Sequence, residues 1–326
     1  MFHTRSALTQ EVWPLREALV HMMIGGQHQT YIWKDDNGDA VGFAQLSQGD
    51  DDSQAYILCL GSTLPDDGLT PESEHIWISL LEELVEKVGS KRIHGLIAEV
   101  NELGDELPIL RRAGFAVYTR QDIWRLEEIP DRFISPLRLH QAEGVDEWDI
   151  TLLYRNVVPR LIQLVEPAPS GEKINDIWVL REEGELTAFV VFTKGTTGTW
   201  MRIFVHPNSH ARTEDIFKAA VTIVSEQKEK MPIYCCVRRY QSWVQSGLQT
   251  VGFEQMGSQA MMVRHTVNIT PRKHVSVLSK EVREKAVAAR QNWLIGEAGS
   301  RENIHRVTIK NGSGKGTNGT QNNQED

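Results

Sequence analysis

Apolar and polar positions along this chain switch between a helical and a strand period, and the order of switching occurs twice. Near the start, Val12, Leu15, Leu19 and Met22 recur every three to four residues, which predicts a helix over Leu8–Met23 closed by Gly25-Gly26. Two strands follow, Tyr31–Lys34 and Ala40–Leu46, around Asp35-Asp36-Asn37-Gly38-Asp39, where Asn-Gly is a strong hairpin signal. Ala55–Leu60 is continuously apolar, the pattern of a central strand covered on both faces. After a polar loop, Gly61–Pro71, come a helix over Ser73–Val88, a strand over Ile93–Ala98 and a second helix. That helix closes on Ala113-Gly114-Phe115 and leads to a strand ending Asp122-Ile123-Trp124-Arg125-Leu126.

The same plan returns about 140 residues later, which indicates a duplicated module rather than a short-repeat solenoid. A short strand, Leu137–Leu139, precedes a helix carrying Trp148, Leu152, Leu153, Val157 and Leu161. Asp176–Arg181 and Glu185–Phe192 form a hairpin around Glu183-Gly184, and Thr199–Val205 is the central strand. A helix from Ile216, a strand over Pro232–Val237, the closure Val251-Gly252-Phe253 and a strand over Ala260–His265 complete the copy. The expected division is a first module over 1–127, a linker over 128–135 containing Pro130, and a second module over 136–267. An extension over 268–309 carries a helix at Ser279–Ile295 with Val282, Ala286, Ala289 and Trp293 on one face. The Gly-, Asn- and Gln-rich tail over 310–326 is expected to be disordered. The nine tryptophans are spread over both modules and read as core.

At 326 residues, 40% hydrophobic and 24% charged, the chain has the composition of a soluble globular protein with two cores. It has no apolar run of membrane-spanning length and no apolar leader, so a cytoplasmic protein is expected. Cys59, Cys235 and Cys236 all fall in expected strands and read as reduced, buried thiols rather than metal ligands; no metal site is expected. A net charge of −9 disfavours nucleic acid. The segment 272–310 is the exception, with nine Lys or Arg against four Asp or Glu, a basic strip suited to lying on its own acidic body or holding a protein partner through its helix.

The hairpin strands Val41-Gly42-Phe43-Ala44-Gln45-Leu46 and Leu186-Thr187-Ala188-Phe189-Val190-Val191, the segment Ile203-Phe204-Val205-His206-Pro207 and both Gly-Phe closures recur in one order. That order resembles the GNAT superfamily of acyl-CoA-dependent N-acetyltransferases, over roughly 1–127 and 136–267. The resemblance implies an α/β fold with a mixed sheet, built as two tandem modules, with acetyl-CoA as cofactor and a small-molecule or protein amine as acceptor. A tandem also supplies within one chain the pairing that single modules obtain by dimerising, so a monomer is expected.

In this family the loop after the central strand carries Arg/Gln-x-x-Gly-x-Gly/Ala, and its amides hold the pyrophosphate of coenzyme A at a helix start. The second module fits better, which makes Phe204, Val205, Ala211, Arg212 and Thr213 the candidate cofactor residues. Thr213 and Asp215 stand where glycines would, with Glu214 between them, and the three suit helix capping, with Thr213 as N-cap. The first module's loop has no basic residue, and Glu72 and Glu74 follow it. Many members also place a tyrosine about four residues before the Gly-Phe glycine as the acid for the thiolate; here those positions are Leu110 and Leu248. Tyr118 and Tyr240, nearby, read as packing residues. For a general base the residue types point to His206, at its strand exit, and to Glu99, at the exit of the first module's strand. Arg238-Arg239 reads either as a holder of an acidic ligand or as a solvated strand end. Two functions remain open: an N-acetyltransferase with its cofactor in the second module, and a catalytically degenerate tandem acting as a ligand-binding or scaffold protein.

Overall fold

The computed structural model describes residues 1–10, 28–35, 37–48, 53–62, 70–129, 135–170, 176–226, 231–266 and 304–306. The first module begins with a short helix, α1 (Thr4–Thr9), ended by Gln10 in a left-handed conformation. A helix over Leu8–Met23 is therefore not continuous with it, and 11–27 lie outside the described residues. The hairpin is β1 (His28–Lys34) and β2 (Ala40–Gln48), turning at Asp35, whose carboxylate accepts from the amides of Asn37 and Asp39. Strand β3 (Gln54–Ser62) is followed by α2 (Pro71–Ser90). The start of α2 is fixed by a reciprocal cap between Thr70 and Ser73 with Pro71 at the first position, and its stripe Trp77, Leu80, Leu81, Leu84 and Val88 is buried. Then come β4 (Gly95–Asn101), α3 (Glu106–Arg112) and β5 (Ala116–Leu126).

In the second module, β6 is only His140–Gln141, displaced from the expected Leu137–Leu139; Leu139 is buried in the core beside it. The expected long helix is two, α4 (Glu147–Val157) and α5 (Arg160–Gln163), because Pro159 cannot continue the first. Strands β7 (Ile177–Glu182), β8 (Glu185–Lys194) and β9 (Thr199–Val205) follow, with Glu183 and Gly184 both at positive φ in the hairpin turn. Helix α6 (Thr213–Ser225), β10 (Ile233–Arg238), a 3₁₀ turn over Arg239–Val244, α7 (Gln245–Val251) and β11 (Glu254–His265) complete it. The two Gly-Phe closures are the same device: Gly114 and Gly252 have φ of 80° and 100°, and the amides of Phe115 and Phe253 donate to the carbonyls of Leu110 and Leu248 at 2.9 and 3.0 Å. The helix at 279–295 and the tail from 310 lie outside the described residues, but Ile304–Arg306 of the basic extension forms β12 against β1.

All twelve strands form one mixed sheet, in the order β12-β1-β2-β3-β4-β11-β5-β10-β9-β8-β7-β6. The terminal strands of the modules are exchanged. β11 pairs antiparallel with β4 and β5, and β5 pairs antiparallel with β10, so each module's last strand lies next to the other's penultimate one. Gln121 and Gln259, which are 138 residues apart, face each other at the centre and are joined by a 2.7 Å side-chain bond. One face of the sheet is covered by α2 and α3 over the first module and by α6 and α7 over the second. The other carries α4 and α5, packed on Phe189 and Phe204, and α1, whose Leu8 meets Ile123, Trp200 and Cys236. Trp148 on α4 is 71% exposed and Trp243 43%, so these two are not core as expected. No helix among the described residues is long and apolar enough to cross a membrane.

Candidate functional site

Each module contains one parallel strand pair that separates partway along. β3 and β4 pair from Gln54–Gly95 to Tyr56–Ile97, and β9 and β10 from Thr199–Ile233 to Arg202–Cys236. Beyond those points the facing backbone groups need other partners.

In the first module the partner is the chain's own beginning. His3 N donates to Leu58 O at 2.8 Å, Leu60 N to Met1 O at 3.0 Å and Met1 N to Leu60 O at 3.0 Å, so residues 1–3 lie along β3 as a short antiparallel strand. Its position draws in Glu99, the candidate base on β4. Glu99 is buried, 3.2 Å from His3 Nε2, and accepts from Thr4 N at 3.2 Å. Burial pushes its carboxyl up, but His3, Arg238 and the Thr4 amide outweigh that and hold it at about 2. A carboxylate held in this way is a weak proton acceptor at neutral pH, which counts against Glu99 in the role of a general base.

In the second module the gap is filled by side chains. The amide of Val205 points away from β8 and donates to Gln241 Oε1 at 3.3 Å. The candidate cradle after β9 also holds an anion of the protein's own. Glu182, at the end of β7, accepts from Ser209 Oγ at 2.8 Å and His210 N at 3.3 Å, while Ala211 N donates to Ser209 Oγ at 3.3 Å. Burial pushes the Glu182 carboxyl up, and Thr187, Ser209 and the His210 and Ala211 amides outweigh it and hold it below the usual range. At the helix start, Arg212 rather than Thr213 is the N-cap, and no side chain caps it; Thr213 is the first helical residue. Arg212 is largely exposed and paired with Glu214 of its own first turn. Helix α7 closes on this end: a Cβ on Gly247 would fall 2.5 Å from Thr213 Oγ1 and 2.9 Å from Glu214 N. Phe204 stacks on Phe189 inside the core, centroids 4.5 Å apart. His206 sits at the rim, where its Nδ1 accepts from Asn208 N at 3.2 Å. Leu110 and Leu248 are fully buried. The cofactor residues read from the sequence thus stand together along β9 and the start of α6. The Val205 amide is taken by Gln241 and Arg212 by Glu214, while Glu182 takes Ser209 and the His210 amide beside them, and this is a poor fit for a diphosphate.

Between the two gaps lies a polar cluster that the sequence did not reveal. Glu166, just past α5 and buried, is 2.5 Å from Arg238 Nη2, 3.0 Å from Arg202 Nη2 and 2.5 Å from the Tyr118 hydroxyl, which donates to it. Tyr154 Oη donates to the Glu166 carbonyl at 2.7 Å. Burial pushes the Glu166 carboxyl up, and Arg238 and Arg202 outweigh it and keep it below the usual range. Burial pushes the Tyr118 phenol well up and Tyr56 up to about 12, so both are hydrogen-bond donors at neutral pH. The pair Arg238-Arg239 divides: Arg238 is buried in this cluster, and Arg239 is a surface residue paired with Glu102. A signal for the cluster was present in Arg202, a charge in the middle of the apolar run Trp200–Val205, since a buried guanidinium requires a partner. Among the described residues no group of three or more His, Cys, Asp or Glu is arranged to hold a metal ion.

No family model and no curated protein matches the sequence. Solved structures do match. A GCN5-related N-acetyltransferase from Sphaerobacter thermophilus aligns at a TM-score of 0.51 and 9% identity, covering 77% of this chain and 86% of that one. A glucosamine N-acetyltransferase region of a fungal multi-domain GH3 β-N-acetylglucosaminidase aligns at 0.50 and 12%, covering 80% of this chain and 36% of that one. At such identities the likeness concerns the fold. An alignment over 77% of the chain is longer than either module alone, so it takes in parts of both. The chain has the GCN5-related N-acetyltransferase (GNAT) fold.

Proposed function

We propose that this chain is a catalytically silent tandem of the GNAT fold that acts as a ligand-binding protein rather than as an acyltransferase. The observation that carries this reading is Glu182, a carboxylate of the protein bound by Ser209 and the His210 amide in the loop where the family resemblance would put a diphosphate. A second anion there would meet Glu182, Glu214 and Asp215 at close range, and the repulsion would oppose its binding. The closure of both strand gaps by residues 1–3 and by Gln241 supports the same conclusion. So do the leucines at the positions where the family's acid would stand.

Isothermal titration with acetyl-CoA tests it, with wild type beside Arg212→Glu. The expected result is no saturable heat for either protein up to about 1 mM, the level at which binding is worth only about 4 kcal/mol. Micromolar binding that weakens in Arg212→Glu would overturn the proposal. It would make the second module an acetyl-CoA site, and transfer to a small-molecule or protein amine would become the reading to pursue.

A further inference from the structure

Helix α4 has an apolar stripe on each side. Ile150, Leu153 and Tyr154 are buried in one cluster with Phe189 of β8 and Phe204 of β9. On the opposite side Val145, Trp148 and Leu152 recur at three- and four-residue spacing and are 80%, 71% and 48% exposed. Gln163 Nε2 donates to the carbonyls of Arg155 and Val158 at 3.1 and 2.6 Å, which folds α5 against the end of α4. Leu161 and Leu164, on that turn, are 74% and 69% exposed. Half of the ten exposed large apolar side chains among the described residues therefore fall between 145 and 164. Together these five offer roughly 500 Å² of apolar surface, a size at which a patch is commonly a contact for another molecule.

The charges around this face are ordered along it. Glu143 and Glu147 stand at its start, and Arg155 and Arg160 at its end. That order suits the helix dipole, and it also makes the face complementary to itself. A second copy turned by 180° sets each acidic start against a basic end, whereas a parallel copy would set like charges together. The segment between Thr266 and Ile304 is a poorer occupant: it is tethered at β11 and at β12, toward the first-module edge of the sheet, while α4 lies over β8 and β9. We propose that the outer face of α4 and α5 is the interface of a homodimer, two copies packing antiparallel about a two-fold axis near Leu152. Trp148 of each copy then lies against Arg155 of the other, whose stem and guanidinium suit an indole face. Two such faces bury about 1,000 Å², the lower bound of a specific interface, so the dimer forms at micromolar concentration. This goes beyond the ligand reading and does not depend on it. The exchange of β5 and β11 takes place at the centre of the sheet and leaves this face uncovered, so a tandem chain is still free to dimerise here.

The test is sedimentation velocity on the full chain from about 1 to 100 μM, a range that brackets a micromolar dissociation constant. A reversible monomer–dimer equilibrium is expected. Trp148→Ser should weaken it about a hundredfold, since two copies of an anchoring indole are lost, and should melt like wild type at about 1 μM because that side chain is mostly in solvent. Arg155→Glu should weaken it about tenfold, two rim charges being reversed. A wild type that stays monomeric to about 100 μM overturns the proposal; if Trp148→Ser then also lowers the melting temperature, the face is covered by its own chain. A dimer unchanged in Trp148→Ser places the interface elsewhere and overturns it equally. A dimer that Trp148→Ser abolishes and Arg155→Glu leaves unchanged overturns the antiparallel arrangement. Acetyl-CoA titration moves none of these outcomes, so the two proposals fail separately.

Discussion

The two strand gaps arise from one geometry and are closed by opposite means. The β3–β4 gap takes a stretch of backbone, residues 1–3, from the far end of the module. The β9–β10 gap takes a side chain, Gln241, three residues beyond β10 itself. A backbone insert supplies donors and acceptors in alternation and satisfies several strand groups at once. A side-chain amide satisfies the one group it reaches. The first closure therefore binds the module to a distant segment. The second is local and leaves its neighbour, Arg238, with unused donors. The duplicated fold has thus kept its divergent strands in both copies while losing, by separate routes, the openness those strands would give.

Three substitutions test this contrast. The largest effect is expected from Glu166→Gln, which leaves Arg202 and Arg238 without their shared carboxylate; breaking such a pair costs about 3–5 kcal/mol, to be read by denaturant unfolding. A loss under about 1 kcal/mol would mean that the two guanidiniums are already solvated. Next is His3→Ala, which acts through Glu99. That carboxyl lies at about 2 in the folded protein against an ordinary 4.5, so its contribution is present above pH 4.5 and is lost as pH falls toward 2. Removing His3 raises the folded value. The variant should lose about 2 kcal/mol at neutral pH and show a shallower fall of melting temperature between pH 4.5 and 2. Parallel pH profiles for the two proteins would break the link between the N-terminal insert and Glu99. The smallest effect belongs to Gln241→Ala, about 1 kcal/mol, because water can take over the Val205 amide. An effect as large as that of His3→Ala would mean that the two closures are energetically alike.

Much of the fold was readable because it is written locally. The alternation in β2 and β8, the apolar run of β9, the stripe of α2 and the glycines at 114 and 252 each specify an element within a few residues. The exchange of β5 and β11 was not readable, since neither strand's pattern states which neighbour it will take. The site was less legible than the fold for a related reason. Thr213 looked like an N-cap by type, but the chain turns into the helix one residue earlier, at Arg212. Glu99, Glu166 and Glu182 owe their states to partners at His3, Arg238 and Ser209, and no spacing rule relates those positions.

The exchanged strands also bear on how the protein is made. β4 and β5 leave the ribosome early, but the strand that joins them, Glu254–His265, is nearly the last of the sheet to be synthesised. Until the second half arrives, one edge of β4 and both edges of β5 lack their native partners, and other nascent chains can pair with them. Translation that stops between the repeats would accordingly yield an aggregating fragment, and refolding from denaturant should show one late step that depends on both halves of the chain.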